Sequence, residues 1–311
     1  MDITHCSHPL PHGITLHSRV SGPVDGPLLL LLHGFPEAAF VWDDLLRHFS
    51  LPQHGGYRCV APNLRGYPPS SAPDDVAAYR TRHLVSDLLA LIRTEAGPSG
   101  RAAAVVAHDW GGALAWVLAA QHPSCMDRLT IINAPHPATF VRELQQSTEQ
   151  QAASAYMNFL ARPDAPELLA ENDFRRLWDF FDRMGASDGP HAWLTPELRQ
   201  RYRESWSLGL RGPCHYYGAS PMRPATAEHS HAQGLALPDE LCRVEVATQV
   251  IWGLQDTALP ATLLDGLDAW VPSLRLDRVA DATHWIVHEQ PQRVIALIGD
   301  FLAGSPRAHR A

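Results

Sequence analysis

The most constraining feature of the sequence is a short apolar run that passes directly into the segment HDWGG. The run, Ala102–Ala107, consists of small and β-branched residues that favour a buried strand, and Ala113–Ala120 predicts a buried helix. Asp109 stands between them, flanked two positions away on each side by Ala107 and Gly111. Small residues at these positions allow a tight strand-to-helix turn that exposes the central side chain above the sheet. The pattern therefore predicts an exposed carboxylate at a helix N-terminus, although a plain N-cap role is the alternative.

Similar apolar runs recur along the chain and alternate with segments of helical character. The runs are Leu28–Leu32 and Tyr57–Ala61, further strands are predicted at Leu129–Ile132, Thr248–Gly253 and Leu274–Val279, and the predicted helices include His83–Ile92, Ala261–Trp270 and Arg293–Leu302. Buried strands that alternate with helices predict an α/β fold whose sheet is mostly parallel, doubly wound and covered on both faces.

The stretch 138–241 has a different composition from the segments on either side. It is rich in Gln, Glu, Arg and aromatic residues and contains no clean strand pattern. We therefore predict a helical cap inserted into one sheet domain, with residues 1–137 and 242–311 forming the two parts of the core. A chain of 311 residues is long enough for one large domain that carries such an insertion.

Charge and cysteine content limit the partners and the compartment. The net charge is −8, from 33 acidic and 25 basic residues, which argues against nucleic acid or an anionic membrane as the main partner. The five cysteines are scattered and form no CxxC pair, so neither a disulfide framework nor a zinc knuckle is expected. No signal-peptide pattern and no apolar run of membrane-spanning length is visible. We expect a soluble, cytoplasmic monomer or homodimer.

Further polar residues follow the other apolar runs. Segment HGFP follows the leucine run, Asp256 closes the segment WGLQD after a strand, and His284 lies in ATHW after the next strand. The order along the chain is Asp109, then Asp256, then His284, each at the end of a predicted strand. Because the carboxyl ends of parallel strands meet at one edge of a sheet, these side chains are expected to converge.

The segments HGFPE, NLRGYPPS, HDWGG, NAPHP, WGLQD and THW resemble those of α/β-hydrolases that use an aspartate nucleophile, namely epoxide hydrolases and haloalkane dehalogenases. The resemblance extends from Leu28 to Leu302 outside the cap. It implies an α/β-hydrolase fold in which the backbone N–H groups of Phe35 and Trp110 form an oxyanion hole.

An aspartate at this turn implies a particular reaction. A carboxylate displaces a leaving group from an sp³ carbon and becomes an alkyl ester, which water then hydrolyses. The resemblance assigns activation of that water to His284, with Asp256 orienting the ring. The scheme needs no cofactor, and neither His229 and His231 nor the pair His284 and His288 has cysteine or acidic neighbours at metal-ligand spacing. No metal is expected.

The leaving group decides between an epoxide and a halide. An epoxide oxygen leaves as a basic alkoxide and needs a proton donor, which epoxide hydrolases provide with two cap tyrosines. Tyr156 and Tyr217 are the candidates, and the segment HYYGA matches the family pattern better at Tyr217 than at Tyr216. The segment departs from that pattern at His215, where the family has Asn, and at Gly218, where it has Arg. Ordinary core tyrosines are the alternative interpretation.

An epoxide hydrolase is the preferred function, and two alternatives stay open. A haloalkane or haloacid dehalogenase would use the same triad, but Phe35 lies where many haloalkane dehalogenases have Asn. No arginine follows Asp109 to hold a small acid. A catalytically silent ligand-binding protein is the second alternative. The expected ligand is a small, neutral, mainly apolar molecule that contacts Phe35, Trp110, Tyr156 and Tyr217, with Phe159 or Trp178 as further candidates.

Overall fold

The structure, a computed structural model, describes residues 2–304 and contains one eight-stranded sheet. The strands are Thr4–Pro9 (β1), Thr15–Ser21 (β2), Leu28–Leu32 (β3), Arg58–Pro62 (β4), Ala104–His108 (β5), Arg128–Ile132 (β6), Ala247–Gly253 (β7) and Leu274–Val279 (β8). Their spatial order is β1-β2-β4-β3-β5-β6-β7-β8. Strand β2 pairs antiparallel with both β1 and β4, whereas every other pairing is parallel.

The central strands are buried on both faces. All five leucines of β3 and all five residues of β5 are buried, and in the register of the sheet Leu31 lies opposite Val106, which lies opposite Thr130. Leucine is a good helix former, but a short leucine run surrounded by parallel neighbours is stabilised as a strand by burial on both sides. The predicted mostly parallel α/β sheet is confirmed.

Eleven α-helices lie in the described part of the chain. They are Asp43–Phe49 (α1), Thr81–Glu95 (α2), Asp109–Gln121 (α3), Pro137–Gln146 (α4), Thr148–Ala153 (α5), Tyr156–Leu160 (α6), Ala165–Asp182 (α7), Pro196–Ser207 (α8), Arg211–Ala219 (α9), Ile286–Glu289 (α10) and Pro291–Ala303 (α11). Helices α4 to α9 all lie between β6 and β7, where no strand interrupts them. We call residues 138–241 the helical insertion. No helix between residues 2 and 304 is long and apolar enough to span a bilayer.

The helical insertion packs over the carboxyl ends of the strands through aromatic side chains, two of which also donate hydrogen bonds to backbone carbonyls. The indole of Trp206 on α8 donates a 2.7 Å hydrogen bond to the carbonyl of Pro36, and the hydroxyl of Tyr216 on α9 donates one of the same length to the carbonyl of Arg65. The rings of Phe181 and Trp285 meet edge to face, 4.7 Å apart. Burial of one such ring contributes roughly 2–3 kcal/mol, so these contacts hold the insertion against the sheet.

Two parts of the fold differ from the sequence-based expectation. Strands β1 and β2 were not anticipated, because their alternating polar residues carry no long apolar run. The helix predicted for 261–270 is replaced by two short 3₁₀ turns, Ala261–Leu264 and Leu267–Ala269. Gly266 separates these turns with a left-handed φ of +72°, which ends helical propagation at that point.

Candidate active site

Asp109 lies at the turn between β5 and α3, at the carboxyl edge of the sheet. Its φ of +48° is left-handed, a conformation that few residues other than glycine adopt. The backbone N–H of Phe35 donates a 2.6 Å hydrogen bond to Oδ1 of Asp109. Trp110 is the second residue of α3, so its N–H belongs to the first helical turn, whose donors have no partner within the helix. The strained turn therefore holds the carboxylate against the N–H of Phe35 and at the N-terminus of α3.

The small residues around Asp109 are required by close backbone contacts. A Cβ added at Gly111 would lie 2.5 Å from the carbonyl oxygen of Leu32, because α3 passes directly over the end of β3. A Cβ at Gly34 would lie 2.6 Å from the carboxyl carbon of Asp109, and nearer still to its Oδ1 and Cβ. Real Cβ atoms essentially never approach other atoms closer than 3.0 Å. This confirms the tight strand-to-helix turn predicted from the spacing of small residues.

His284 and Asp256 reach Asp109 from the loops that follow β8 and β7. Nδ1 of His284 lies 2.7 Å from Oδ2 of Asp256, and Nε2 lies 3.8 Å from Oδ2 of Asp109. Burial of the ring lowers its pKa, but the carboxylates of Asp256 and Asp109 outweigh this effect and raise the pKa of His284 to about 9. With Asp109 ionised, His284 is therefore an imidazolium at neutral pH.

Four hydrogen bonds orient the carboxylate of Asp256. Its Oδ1 accepts 2.9 Å bonds from the backbone N–H groups of Ala258 and Leu259, while Oδ2 accepts from His284 and, at 2.8 Å, from the amide of Asn133. The side-chain oxygen of Asn133 in turn accepts from the N–H of Gly253. Asn133 stands in the segment NAPHP that carried the family resemblance, yet its polar role was not recognisable from the sequence.

Tyr156 and Tyr217 line the same cavity as Asp109 and Trp110. Their ring centroids are 6.1 Å apart, and the ring of Tyr217 meets those of Trp110 and Phe35 edge to face at 5.2 and 5.3 Å. Burial, together with the negative charge of Asp109, keeps the pKa of both phenols above the ordinary value, so both remain O–H donors. Tyr216 instead uses its hydroxyl on the carbonyl of Arg65.

Two cavities adjoin Tyr156. One, of about 60 Å³, is lined by Asp109, both tyrosines and apolar side chains that include Met157, Phe140 and Leu259. The other, of about 250 Å³, is lined mainly by apolar residues of α6 and α7 together with Phe35 and Phe159, and has charged residues of α7 at its wall. Trp178, the other aromatic candidate, does not line either cavity. It packs against Trp206 at a ring distance of 4.4 Å.

A group of side chains with the spacing of metal ligands lies away from this cavity. Within residues 2–304, one group of at least three such side chains brings its ligand atoms together, namely Cys6, His8 and Glu95. Two of these residues belong to the edge strand β1, and the carboxylate of Glu95 already accepts a 3.0 Å hydrogen bond from Arg58. The chemistry available around Asp109 is therefore that of a carboxylate, an imidazole and two phenols.

Residues 27–291 match the family model described as alpha/beta hydrolase fold. The AB hydrolase superfamily protein YfhM of Bacillus subtilis is 34% identical over 97% of this chain and 99% of its own length. Epoxide hydrolase 3 of Xenopus tropicalis is 32% identical over 96% of this chain and 77% of its own. Bacillus megaterium epoxide hydrolase, solved with an inhibitor, has a TM-score of 0.85 at 30% identity and covers 96% of this chain and 100% of that one. The chain therefore belongs to the α/β-hydrolase fold family, close to the epoxide hydrolases.

Proposed function

We propose that this protein hydrolyses epoxides to vicinal diols through a covalent ester on Asp109. The observation that carries the proposal is the shared cavity that holds the Asp109 carboxylate and the hydroxyl-bearing rings of Tyr156 and Tyr217. A nucleophile and two proton donors in one apolar enclosure are the groups that opening an epoxide requires. The similarity to proteins named epoxide hydrolases supports the same assignment.

In the first step, Oδ2 of Asp109 attacks an epoxide carbon and the carbon–oxygen bond of the ring breaks. Oδ1 is held by the N–H of Phe35, which leaves Oδ2 as the free nucleophilic atom. The departing alkoxide is far more basic than a phenolate, so Tyr156 and Tyr217 donate hydrogen bonds and a proton to it. The product of this step is an alkyl ester of Asp109 that carries a free hydroxyl group.

In the second step, His284 takes a proton from water, which attacks the carboxyl carbon of the ester. Esterification removes the negative charge of Asp109, one of the charges that raise the pKa of His284. The imidazolium therefore gives up its proton more readily after the first step than before it, and the phenolate left by that step accepts the proton. His284 is then neutral and can act as a base. The bond between the ester oxygen and the carboxyl carbon breaks, and His284 returns the proton taken from water to the departing alkoxide, so that the diol leaves. Asp109 retains the oxygen that came from water, and its carboxyl proton restores the imidazolium of His284.

A halide leaving group fits the cavity less well. A halide needs no proton, so two buried phenols beside Asp109 would have no catalytic use. No cationic side chain lines the cavity around Asp109 in the described residues, which disfavours a small acidic substrate. The same apolar lining supports a neutral ligand.

The unequal cavities favour an asymmetrically substituted epoxide. The space beside Asp109, of about 60 Å³, is the smaller of the two and favours a small substituent. The larger cavity, of about 250 Å³, accepts an aryl or alkyl substituent on the other side of Tyr156. We therefore expect styrene oxide to be hydrolysed much faster than trans-stilbene oxide, which carries an aryl group on each carbon.

The covalent route is tested by a single turnover of styrene oxide in H₂¹⁸O with enzyme in excess. The first diol formed should contain no ¹⁸O, and the peptide that contains Asp109 should gain one ¹⁸O atom by mass spectrometry. An ¹⁸O atom in the first diol would mean that water attacks the epoxide directly and would refute the ester. Asp109→Asn is the matched control, since an amide is a poor nucleophile of nearly equal size, and it should label neither product nor protein.

A further inference from the structure

A second cluster of buried polar side chains lies next to His284. None of its members was predicted from the sequence to be catalytic. It consists of Glu37, His108, His288 and Tyr202, and we call it the Glu37 cluster. The side chain of Glu37 is 0% exposed. Its Oε2 lies 2.9 Å from Nδ1 of His108, and its Oε1 lies 2.8 Å from Nε2 of His288 and 3.3 Å from the hydroxyl of Tyr202.

The protons of the cluster follow from its hydrogen-bond acceptors. One nitrogen of His108 faces the carboxylate of Glu37, and the other faces the carbonyl oxygen of His284. Both partners accept hydrogen bonds, so each ring nitrogen of His108 faces an acceptor, one of which is the carboxylate of Glu37. Burial raises the pKa of Glu37, but His108 and His288 outweigh that effect and hold the pKa below its ordinary value. Glu37 is therefore an ionised carboxylate that depends on its donors.

The cluster holds the backbone of the residue proposed as the base. Nε2 of His108 donates a 2.9 Å hydrogen bond to the carbonyl of His284, and the two rings lie 4.7 Å apart. His108 is also the last residue of β5, immediately before Asp109. The position of this ring thus affects both the nucleophile turn and the loop that presents His284.

The same cluster includes a side chain of the helical insertion. Tyr202 lies on α8 and is fully buried, and its hydroxyl oxygen is 2.8 Å from Nε2 of His288. The ring of His288, on α10, stacks on Trp193 of the insertion at a distance of 4.2 Å. Movement of α8 away from the sheet would remove one donor from the buried charge of Glu37, a change that is strongly unfavourable.

We propose that Tyr202 and His288 are positioning residues that couple the seating of the helical insertion to the orientation of His284. They hold the carboxylate of Glu37, which holds His108, which in turn fixes the carbonyl of His284. The coupling deepens the proposed function and rests on it, because His284 acts as a base only in the hydrolysis of the Asp109 ester. Loss of either positioning side chain should therefore slow ester hydrolysis more than ester formation.

The test compares Tyr202→Phe, His288→Leu and His288→Gln by rapid-quench single turnovers of styrene oxide, with ester formation and ester decay measured separately. Tyr202→Phe and His288→Leu should slow decay ~10-fold or more, as expected when a catalytic group is displaced by a fraction of an ångström, and should affect formation much less. His288→Gln keeps a donor near the position of Nε2 and should restore most of the rate. Tyr79→Phe is the control, because it removes a buried hydroxyl bonded to the carbonyl of Pro73, outside the cluster.

Equal slowing of both steps in a folded variant, or no slowing of either, would overturn the proposal. A second measurement separates this result from failure of the proposed function. In ¹⁵N-histidine-labelled protein without substrate, Tyr202→Phe should shift the ring signals of His284, identified by their loss in His284→Gln, while Tyr79→Phe should not. Unshifted His284 signals would refute the coupling even if wild type formed the ester. Absence of an ester in wild type would refute the proposed function alone. The ring signals of His284 would then show by themselves whether Tyr202 affects His284.

Discussion

Replacement of Gly34 by alanine tests how closely the loop after β3 fits against the nucleophile. The new Cβ would lie 2.6 Å from the carboxyl carbon of Asp109, whereas ordinary van der Waals contacts begin near 3.4 Å. The loop cannot easily retreat, because the carbonyl of Gly34 accepts 3.0 Å hydrogen bonds from the N–H of Glu37 and from the ring of His33. The carboxylate must therefore move by about 0.8 Å, away from the N–H of Phe35. Displacement on this scale is expected to slow ester formation ~100-fold.

The assay is the pre-steady-state rate of ester formation with styrene oxide, accompanied by circular dichroism and thermal unfolding. Overpacking of this kind typically lowers the free energy of unfolding by ~1–3 kcal/mol, so the fold should survive. Gly299→Ala on α11 is the matched control, since its Cβ would have its nearest neighbour at 4.0 Å. It should keep the wild-type rate and gain ~0.5–1 kcal/mol of stability. A Gly34→Ala enzyme with the wild-type rate of ester formation would refute the close fit.

Three further outcomes follow from the same geometry. Tyr156→Phe and Tyr217→Phe should each slow ester formation, and the double variant should lose ~10²–10⁴ in rate, whereas Tyr216→Phe should retain activity. Pre-steady-state kinetics that show no loss in the double variant would contradict the role of the phenols. His284→Gln should form the ester without hydrolysing it. Intact-protein mass spectrometry after substrate addition should show one lasting adduct, which maps to the peptide that contains Asp109. Rapid disappearance of that adduct would argue against His284 as the base. The pKa of His284 is raised from 6.5 to about 9, so its protonation stabilises the folded state fully below pH 6.5 and ceases to do so as the pH rises through 9. The whole shift is worth on the order of 3 kcal/mol, and Asp256 contributes most to raising it, so the destabilisation caused by Asp256→Asn should shrink between those pH values in urea unfolding. A constant difference would contradict the raised pKa.

The order of the catalytic candidates could be predicted because it depends on local patterns. Each of Asp109, Asp256 and His284 follows a segment that is recognisable as a strand from a few neighbouring positions. Parallel strands place their carboxyl ends at the same edge of the sheet, so the sequence implied that these side chains converge. The need for small residues at Ala107 and Gly111 was visible for the same reason, since a tight turn requires them wherever the rest of the chain lies.

The Glu37 cluster could not be predicted, because its members are far apart in sequence. Glu37 is separated from Tyr202 by 165 residues and from His288 by 251, and the segments around them carry no shared pattern. Edge strand β1 was missed for a related reason, since its polar residues are ordered by pairing with β2 rather than by a run of apolar side chains. Contacts of this kind depend on how distant segments pack.

The choice between Tyr216 and Tyr217 separates the two kinds of information most clearly. Neighbouring residues on a helix point about 100° apart, and resemblance alone favoured Tyr217. Both side chains are buried, so neither burial nor hydrophobicity distinguishes them. The packing of α9 against the sheet directs Tyr216 to the carbonyl of Arg65 and Tyr217 to the cavity of Asp109. The sequence by itself determined strands β3 to β8, the turn at Asp109 and the order of the triad, because short-range patterns specify them. Only the tertiary structure decided which polar groups meet, because a buried donor takes whichever acceptor the packing of distant segments brings within reach.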